Sequence, residues 1–304
     1  MIRLVAKKFF GSIDTEQKLE RLRAYLQAYS IALKEIGFAR IYIDAFAGSG
    51  HRTEVHPALP LFGAEFAEPI EVTSPGSARI ALSIDPPFDT VALIEEDAGR
   101  FAELEKLRQE FPDNKLVLKR GDANLNVQLL CSRVPWHKRQ ASILGMRGVI
   151  FLDPFGMEVE WATVEAIAST QALDCWYFFP LAGLYRNAPH DVARLDATKQ
   201  AAIDRVLGTT DWRTAWYEHS FTTDDLFDTS EGAVVRADVD AIERYVMRRL
   251  QTVFKGLVMP PVRLRHNGGA PMASLFFAVS NTSEKAVALA RRISSYILKD
   301  GNSS

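Results

Sequence analysis

Cysteine is nearly absent from this chain. Its 304 residues include two, Cys131 and Cys175, far apart and in no paired motif. That scarcity argues against a disulfide framework and a cysteine zinc site, and makes a reducing cytoplasm the expected setting. Histidine is also scarce. His51 and His56 stand isolated from any tight cluster of His, Asp and Glu, so no metal is expected. No stretch approaches the roughly 20 apolar residues that a membrane helix needs. The first residues, through Gln17, carry neither a long apolar run nor a small-residue cleavage site, so neither secretion nor membrane association is expected. An excess of one charge is lacking too: 36 Lys and Arg stand against 38 Asp and Glu, a net charge of −2. A strongly basic nucleic-acid binder would look different, although a local patch suffices for such binding. There is no repeat at a fixed period and no GxSxG elbow.

What is present is ordinary globular composition, 47% hydrophobic and 24% charged. A chain of this length buries a full core without staples. Leu19, Leu22, Leu26, Tyr29, Leu33 and Ile36 recur at three- and four-residue steps, which predicts an amphipathic helix from Asp14 to Ile36, capped by Asp14 or Thr15 and closed by Gly37. Short, almost continuous apolar runs follow at Ile41–Ile43, Thr90–Ile94, Leu116–Leu118, Gly148–Leu152 and Cys175–Phe179, separated by helical patterns. Strands of that kind are buried on both faces, as in a parallel sheet. The expectation is an α/β, Rossmann-like fold, a mostly parallel sheet with helices on both faces and further helical additions. The proline-rich stretch from His51 to Pro75 reads as a long loop, and Ser74 or Ser77 as the cap of the helix after it. The pattern breaks after Pro180. Residues 1–37 read as an N-terminal helical segment, 38–182 with 272–304 as the core, and 183–271 as a mostly helical insertion or binding region. Trp161, Trp176, Trp212 and Trp216 read as core or interface rather than as a base-stacking platform.

Four acids stand at strand ends: Asp44, Glu95, Asp122 and Asp153. In open α/β sheets ligands bind beyond the carboxyl ends of the strands, so these four are expected to face one crevice. Asp44-Ala45-Phe46-Ala47-Gly48-Ser49-Gly50 reads as strand, then glycine turn. It lacks the third glycine of a nicotinamide fingerprint and the Lys-Ser/Thr ending of a phosphate loop. A ligand without phosphate, carrying an ammonium and a carboxylate, suits it; a plain glycine turn with a capping Asp44 is the alternative. Glu95 ends the second strand, where a carboxylate accepts from two ribose hydroxyls, or serves as a solvated acid at a helix start like Glu96 and Asp97. Asp122 either accepts from an adenine amino group or caps the next helix. Asp153-Pro154-Phe155-Gly156 either aims an acceptor's lone pair, with Phe155 stacking on a flat substrate, or forms a simple strand-to-loop turn. From Arg236 to His266, seven Lys and Arg oppose three Asp and Glu, either a solvated helix face or a docking patch for nucleic acid or an acidic partner.

The series Tyr42–Gly50, Leu93-Ile94-Glu95, Gly121-Asp122-Ala123-Asn124 and Phe151–Gly156 resembles the motif series of class I methyltransferases. More closely, it resembles the three-Cys-motif partner protein family, in the helix Lys18–Tyr29 before the first strand, the insertion before Ser74–Arg79, and the runs Asp153–Trp161 and Asp174–Pro180. The resemblance covers Thr15 to Pro180 well and the last third weakly. It implies S-adenosylmethionine as cofactor, with Asp44, Phe46, Gly48, Gly50, Glu95 and Asp122 holding it and Asp153, Pro154 and Phe155 facing the methyl acceptor. It also implies a partner protein carrying a cysteine motif. One departure stands out: amino-methyltransferases of bases carry Asp-Pro-Pro-Tyr/Phe where this chain has Asp153-Pro154-Phe155-Gly156, which counts against methylation of an exocyclic amine. A non-catalytic binding module on the same fold is the alternative function, and a nucleic-acid-processing factor a third.

Overall fold

A computed structural model of the chain describes residues 13–56, 70–140, 142–217, 236–265 and 271–299. In chain order its elements are α1 (Ile13–Leu33), β1 (Ala39–Asp44), β2 (His51–His56), β3 (Ile70–Pro75), α2 (Ser77–Leu82), β4 (Thr90–Glu95), α3 (Ala98–Glu110), β5 (Leu116–Arg120), α4 (Ala123–Arg133), β6 (Met146–Leu152), α5 (Trp161–Ser169), β7 (Leu173–Phe179), α6 (Leu181–Asn187), α7 (Ala197–Leu207), α8 (Trp212–Trp216), α9 (Val239–Val253), β8 (Leu257–Val258), β9 (Val262–Arg265), β10 (Pro271–Val279) and α10 (Glu284–Lys299).

The central sheet runs in the order β5-β4-β1-β6-β7-β10-β8, with β9 also paired to β10. Strands β5, β4, β1, β6 and β7 run parallel to one another. Strand β10 runs antiparallel to β7, β8 and β9. The chain builds outward from β1 to β5, then returns to the other side of β1 with β6. That reversal makes a crevice at the carboxyl ends of β1 and β6.

Strand periodicity sorts the side chains into two buried layers. Ile41, Ile43, Ile150, Leu152, Cys175 and Tyr177 point to one face, against α4 to α9. Tyr42, Val149, Phe151 and Trp176 point to the other, against α1, α2, α3 and α10. On α1, Leu22 and Leu26 are buried; such burial contributes about 1.5–3 kcal/mol per leucine. Trp161, Trp176, Trp212 and Trp216, read from sequence as core or interface, are all buried in the core.

The structure is the α/β, mostly parallel fold expected, with helices on both faces. It differs in detail. The His51–Pro75 stretch contains a hairpin: β2 and β3 pair antiparallel along their whole length. Thr53, Val55, Ile70, Val72 and Thr73 are β-branched and favour strands, a signal that the flanking prolines obscure. The tip, 57–69, lies outside the described residues. Helix α1 begins at Ile13, so Asp14 and Thr15 fall inside its first turn. Helix α2 is capped by Gly76 without a side-chain bond, and neither serine fills that role. Within 183–271, β8 and β9 join the main sheet through β10, and helices α6 to α9 share a core cluster with α5.

Candidate functional site

A cleft of about 250 Å³ opens at the carboxyl ends of β1, β4 and β5. Phe46, Glu95, Asp122 and Phe155 all line it, drawn from four separate segments. Asp44 and Asp153 do not; nor do Gly48, Gly50 or Pro154. The four strand-end acids therefore split, two in the cleft and two beside it.

Glu95 is the cleft's buried acid, 5% exposed. Its Oε1 accepts from the Asp97 backbone N–H at 2.8 Å and from Arg100 Nε at 3.1 Å, and Arg100 Nη2 lies 3.0 Å away. No described residue donates to Oε2. One oxygen thus anchors the carboxylate through charge-assisted hydrogen bonds, while the other has no donor among the described residues and is left for a guest. Asp97 behaves as the expected helix-start acid, capping α3 by accepting from Arg100 N–H at 2.8 Å. Asp122 takes the capping alternative, accepting from Leu125 N–H at 2.7 Å, yet it also borders the cleft. Behind it, buried Asn124 donates to Glu158 O and accepts from Glu160 N–H and the Thr163 hydroxyl. Asn124 thereby ties α4 to the segment after β6.

Asp44 is fully buried, at 0% exposure. It accepts from Phe46 N–H at 3.3 Å and from the Tyr42 hydroxyl at 3.2 Å. Burial pushes its carboxyl up to about 6; hydrogen bonds from Ser77, Phe46 and Tyr42 pull the other way, and the charge of Asp153 adds to the rise. With no exposed surface, Asp44 holds the start of the glycine turn from beneath, through its bond to Phe46 N–H. Gly48 and Gly50 both adopt positive φ, +61° and +76°. A Cβ on Gly48 would meet nothing, whereas one on Gly50 would press on Leu107 Cδ1 at 3.3 Å and Leu104 Cδ2 at 3.4 Å. Gly50 therefore lets the turn seat on α3.

Asp153 is held by Lys18, whose Nζ lies 2.6 Å from Asp153 Oδ2. Lys18 is 5% exposed, and its ammonium sits 4.2 Å from the centre of the Phe178 ring. Pro154 is buried, while Phe155 stands 67% exposed at the lip of the cleft with Arg100 5.0 Å above its ring.

Lys18 and Arg100 are the residues that motif reasoning missed. Each leaves a trace in the sequence. Lys18 falls on the same helical stripe as Leu22, Tyr25 and Tyr29, a cation interrupting a buried face. Arg100 is a cation in the first turn of α3, where the helix dipole favours acids.

The charge of the cleft is specific. Glu95, Glu96, Asp122, Glu158 and Glu160 oppose Arg100 and Arg205, five carboxylates against two guanidiniums. The basic Arg236–His266 stretch divides on folding. Arg263 pairs with Asp240 and Glu243, Arg249 donates to Leu207 O, and Arg236 donates to backbone carbonyls including Tyr185 O. Arg244, Arg248 and Lys255 remain exposed; His266 lies outside the described residues. No group of side chains suited to a metal ion occurs among the described residues, and none of their helices is long and apolar enough to cross a membrane.

No protein family and no curated protein matches the chain. Solved structures are similar to it at low identity. Protein LPL1258 from Legionella pneumophila is 12% identical over 94% of each chain, with a TM-score of 0.47. Spermidine synthase from Thermotoga maritima is 12% identical over 96% of this chain and 66% of that one, with a TM-score of 0.41. Magnesium protoporphyrin IX methyltransferase from Synechocystis, with bound SAH, is 10% identical over 89% and 90%, with a TM-score of 0.36. The functional reading accordingly rests on the chain's own site.

Proposed function

We propose that this protein is an S-adenosylmethionine-dependent methyltransferase acting on a nucleic acid or a partner protein. The observation that carries this reading is Glu95: a buried carboxylate at the end of the second parallel strand, with Oε1 anchored and Oε2 open to the cleft. That free oxygen accepts a ribose hydroxyl. The charge balance supports the same ligand. A cleft with five carboxylates and two guanidiniums repels a phosphorylated cofactor and favours one with a net positive sulfonium and ammonium. Its volume of about 250 Å³ is close to the lower end of the roughly 300–1,000 Å³ usual for ligand pockets.

When bound, adenosylmethionine would supply an electrophilic methyl group, which passes to the acceptor's nucleophile as its bond to sulfur breaks and S-adenosylhomocysteine leaves. The chain's own residues do the rest. Glu95 orients the ribose and Phe46 offers an apolar wall. Asp122, although it caps α4, presents an acceptor edge at the third strand. Asp44 acts through the turn it holds. Phe155, exposed at the lip, stacks a flat acceptor; Asp153, kept in place by Lys18, accepts from the nucleophile's N–H and fixes its direction. Membership of the three-Cys-motif partner family is the finer form of this proposal, resting on the motifs from Tyr42 to Pro180; it adds a partner protein with a cysteine motif, which should co-purify with the chain.

Calorimetric titration with adenosylmethionine and its demethylated product tests the proposal. Micromolar binding that Glu95→Ala weakens tenfold or more, about 1.4 kcal/mol, while the circular dichroism spectrum is unchanged supports it. Absence of binding to both ligands overturns it and leaves a non-catalytic binding module.

A further inference from the structure

A second cavity, of about 330 Å³, lies on the opposite edge of the sheet from the cleft, between α1 and α10. The proposed reaction makes no use of it. Its walls are largely apolar and include Leu33, Ile36, Phe38, Leu289 and Ile293. Three charged groups line it: Arg147 at the start of β6 and Asp174 at the start of β7 reach into it from the sheet, and the exposed Lys285 borders it from α10.

Strand register explains why they meet. Asp174 pairs laterally with Val149. Side chains alternate along a strand, so Arg147, two residues before Val149, shares its face. That face carries α1. The charges of Arg147 and Asp174 influence each other, yet no ion pair forms between them among the described residues. Asp174 is 8% exposed, and its Oδ2 accepts from the Tyr25 hydroxyl at 2.6 Å. No described residue donates to Oδ1. Arg147 donates from Nη1 to Met146 O at 2.8 Å, and Phe38 lies 4.6 Å from its guanidinium carbon.

A buried carboxylate without an ion-pair partner is costly. Burial pushes the Asp174 carboxyl up to about 7, against the pull of the Tyr25 hydrogen bond and the Arg147 charge. A cationic guest beside it relieves that cost. The guanidinium across the same cavity calls for an anionic group on the same guest, and the surrounding leucine, isoleucine and phenylalanine side chains for an apolar body.

We infer that this cavity binds a small zwitterion with an apolar side chain, of the class of a free aliphatic or aromatic α-amino acid, its ammonium at Asp174 and its carboxylate at Arg147. Helix α1 runs from one site to the other: Lys18 grips Asp153 at the carboxyl edge, and Tyr25 grips Asp174 at the amino edge. The guest thus sits against the same helix that orders the acceptor side of the cleft.

The test is calorimetric titration of the full-length protein with L-phenylalanine and L-leucine, beside phenethylamine and hydrocinnamate, which each lack one charge. The expected result is saturable binding of at least one amino acid that weakens tenfold or more, about 1.4 kcal/mol, when either charge is removed from the ligand. Asp174→Asn, which is close in shape, and Arg147→Gln, on a half-exposed side chain, should each produce a similar loss. Glu95→Ala should leave it unchanged, which separates this site from the cleft. No heat from either amino acid at up to about 10 mM, where even millimolar affinity would register, overturns the inference. Binding that both substitutions leave intact overturns it equally.

Discussion

Replacing Lys18 by methionine removes the ammonium that holds Asp153 while keeping most of the side chain's volume. Breaking a fully buried ion pair costs about 3–5 kcal/mol, because one charge is left without compensation. Here the Lys18 side chain is 7% exposed but that of Asp153 is 26% exposed, so the stranded carboxylate regains some water. The expected cost is therefore lower, about 2–3 kcal/mol. A chain of this size loses about 2 °C of Tm per kcal/mol, which places the drop at about 4–6 °C. Asp153→Asn strands the opposite charge. Phe178 at 4.2 Å and Phe151 at 5.9 Å still face the Lys18 ammonium, and such contacts retain about 0.5–2 kcal/mol. Even so, with its side chain only 7% exposed, the stranded ammonium regains less water than the stranded carboxylate does, so the Asp153 variant should lose at least as much as the Lys18 variant. The double variant carries neither charge, so its loss should fall short of the sum of the singles by about 1–3 kcal/mol. Thermal melts of the four proteins followed by circular dichroism, at one neutral pH and salt concentration, give the cycle. Losses that add within about 0.5 kcal/mol would show that the two residues do not act as a pair, and the positioning of Asp153 by α1 would fall with them.

The glycine turn supplies a graded comparison. Gly48→Ala meets no atom and carries only the strain of a positive φ, about 1 kcal/mol, whereas Gly50→Ala also presses on Leu104 and Leu107 and should melt at a clearly lower temperature than Gly48→Ala; equal melting temperatures would contradict the seating of the turn on α3. Asp174 makes a pH prediction. Its folded value, about 7, lies above the unfolded value near 3.9, so the fold favours the protonated acid. The stability it contributes is complete below about pH 4 and is lost as pH rises through 7. Asp174→Asn does not titrate, so the Tm of the variant minus that of the wild type should rise between pH 4 and pH 8. A flat or falling difference would mean that Asp174 is not a costly buried charge.

The fold was legible because its strands are unusually plain. Runs such as Val91–Ile94 and Val149–Leu152 are apolar throughout, which only a doubly covered sheet accommodates, and the acids at their ends mark where each strand stops. Glu95, Phe46, Asp122 and Phe155 could be found by position alone, since each follows directly from a strand end. Other features depend on contacts distant in the chain. Nothing local says that Asp44 is sealed beneath its own turn, or that Lys18, 135 residues before Asp153 in the chain, is its partner. The hairpin was hidden for a different reason: Pro57, Pro60, Pro69 and Pro75 surround it, and proline is read as a strand breaker although it is tolerated at strand ends. The charge count over Arg236–His266 misleads for a third reason, because it cannot see that Glu243 and Asp240 both turn toward Arg263.

The central claim is that Glu95 Oε2 receives a ribose hydroxyl of adenosylmethionine. The most direct measurement compares binding of S-adenosylhomocysteine with that of its 2′,3′-dideoxy analogue, in the wild type and in Glu95→Ala. Hydrogen bonds to a charged group contribute about 1.5–3 kcal/mol, so the wild type should lose tenfold or more in affinity with the dideoxy ligand, while Glu95→Ala binds both ligands weakly and alike. A wild type that binds the two ligands equally, or a variant that still discriminates between them, would contradict the account.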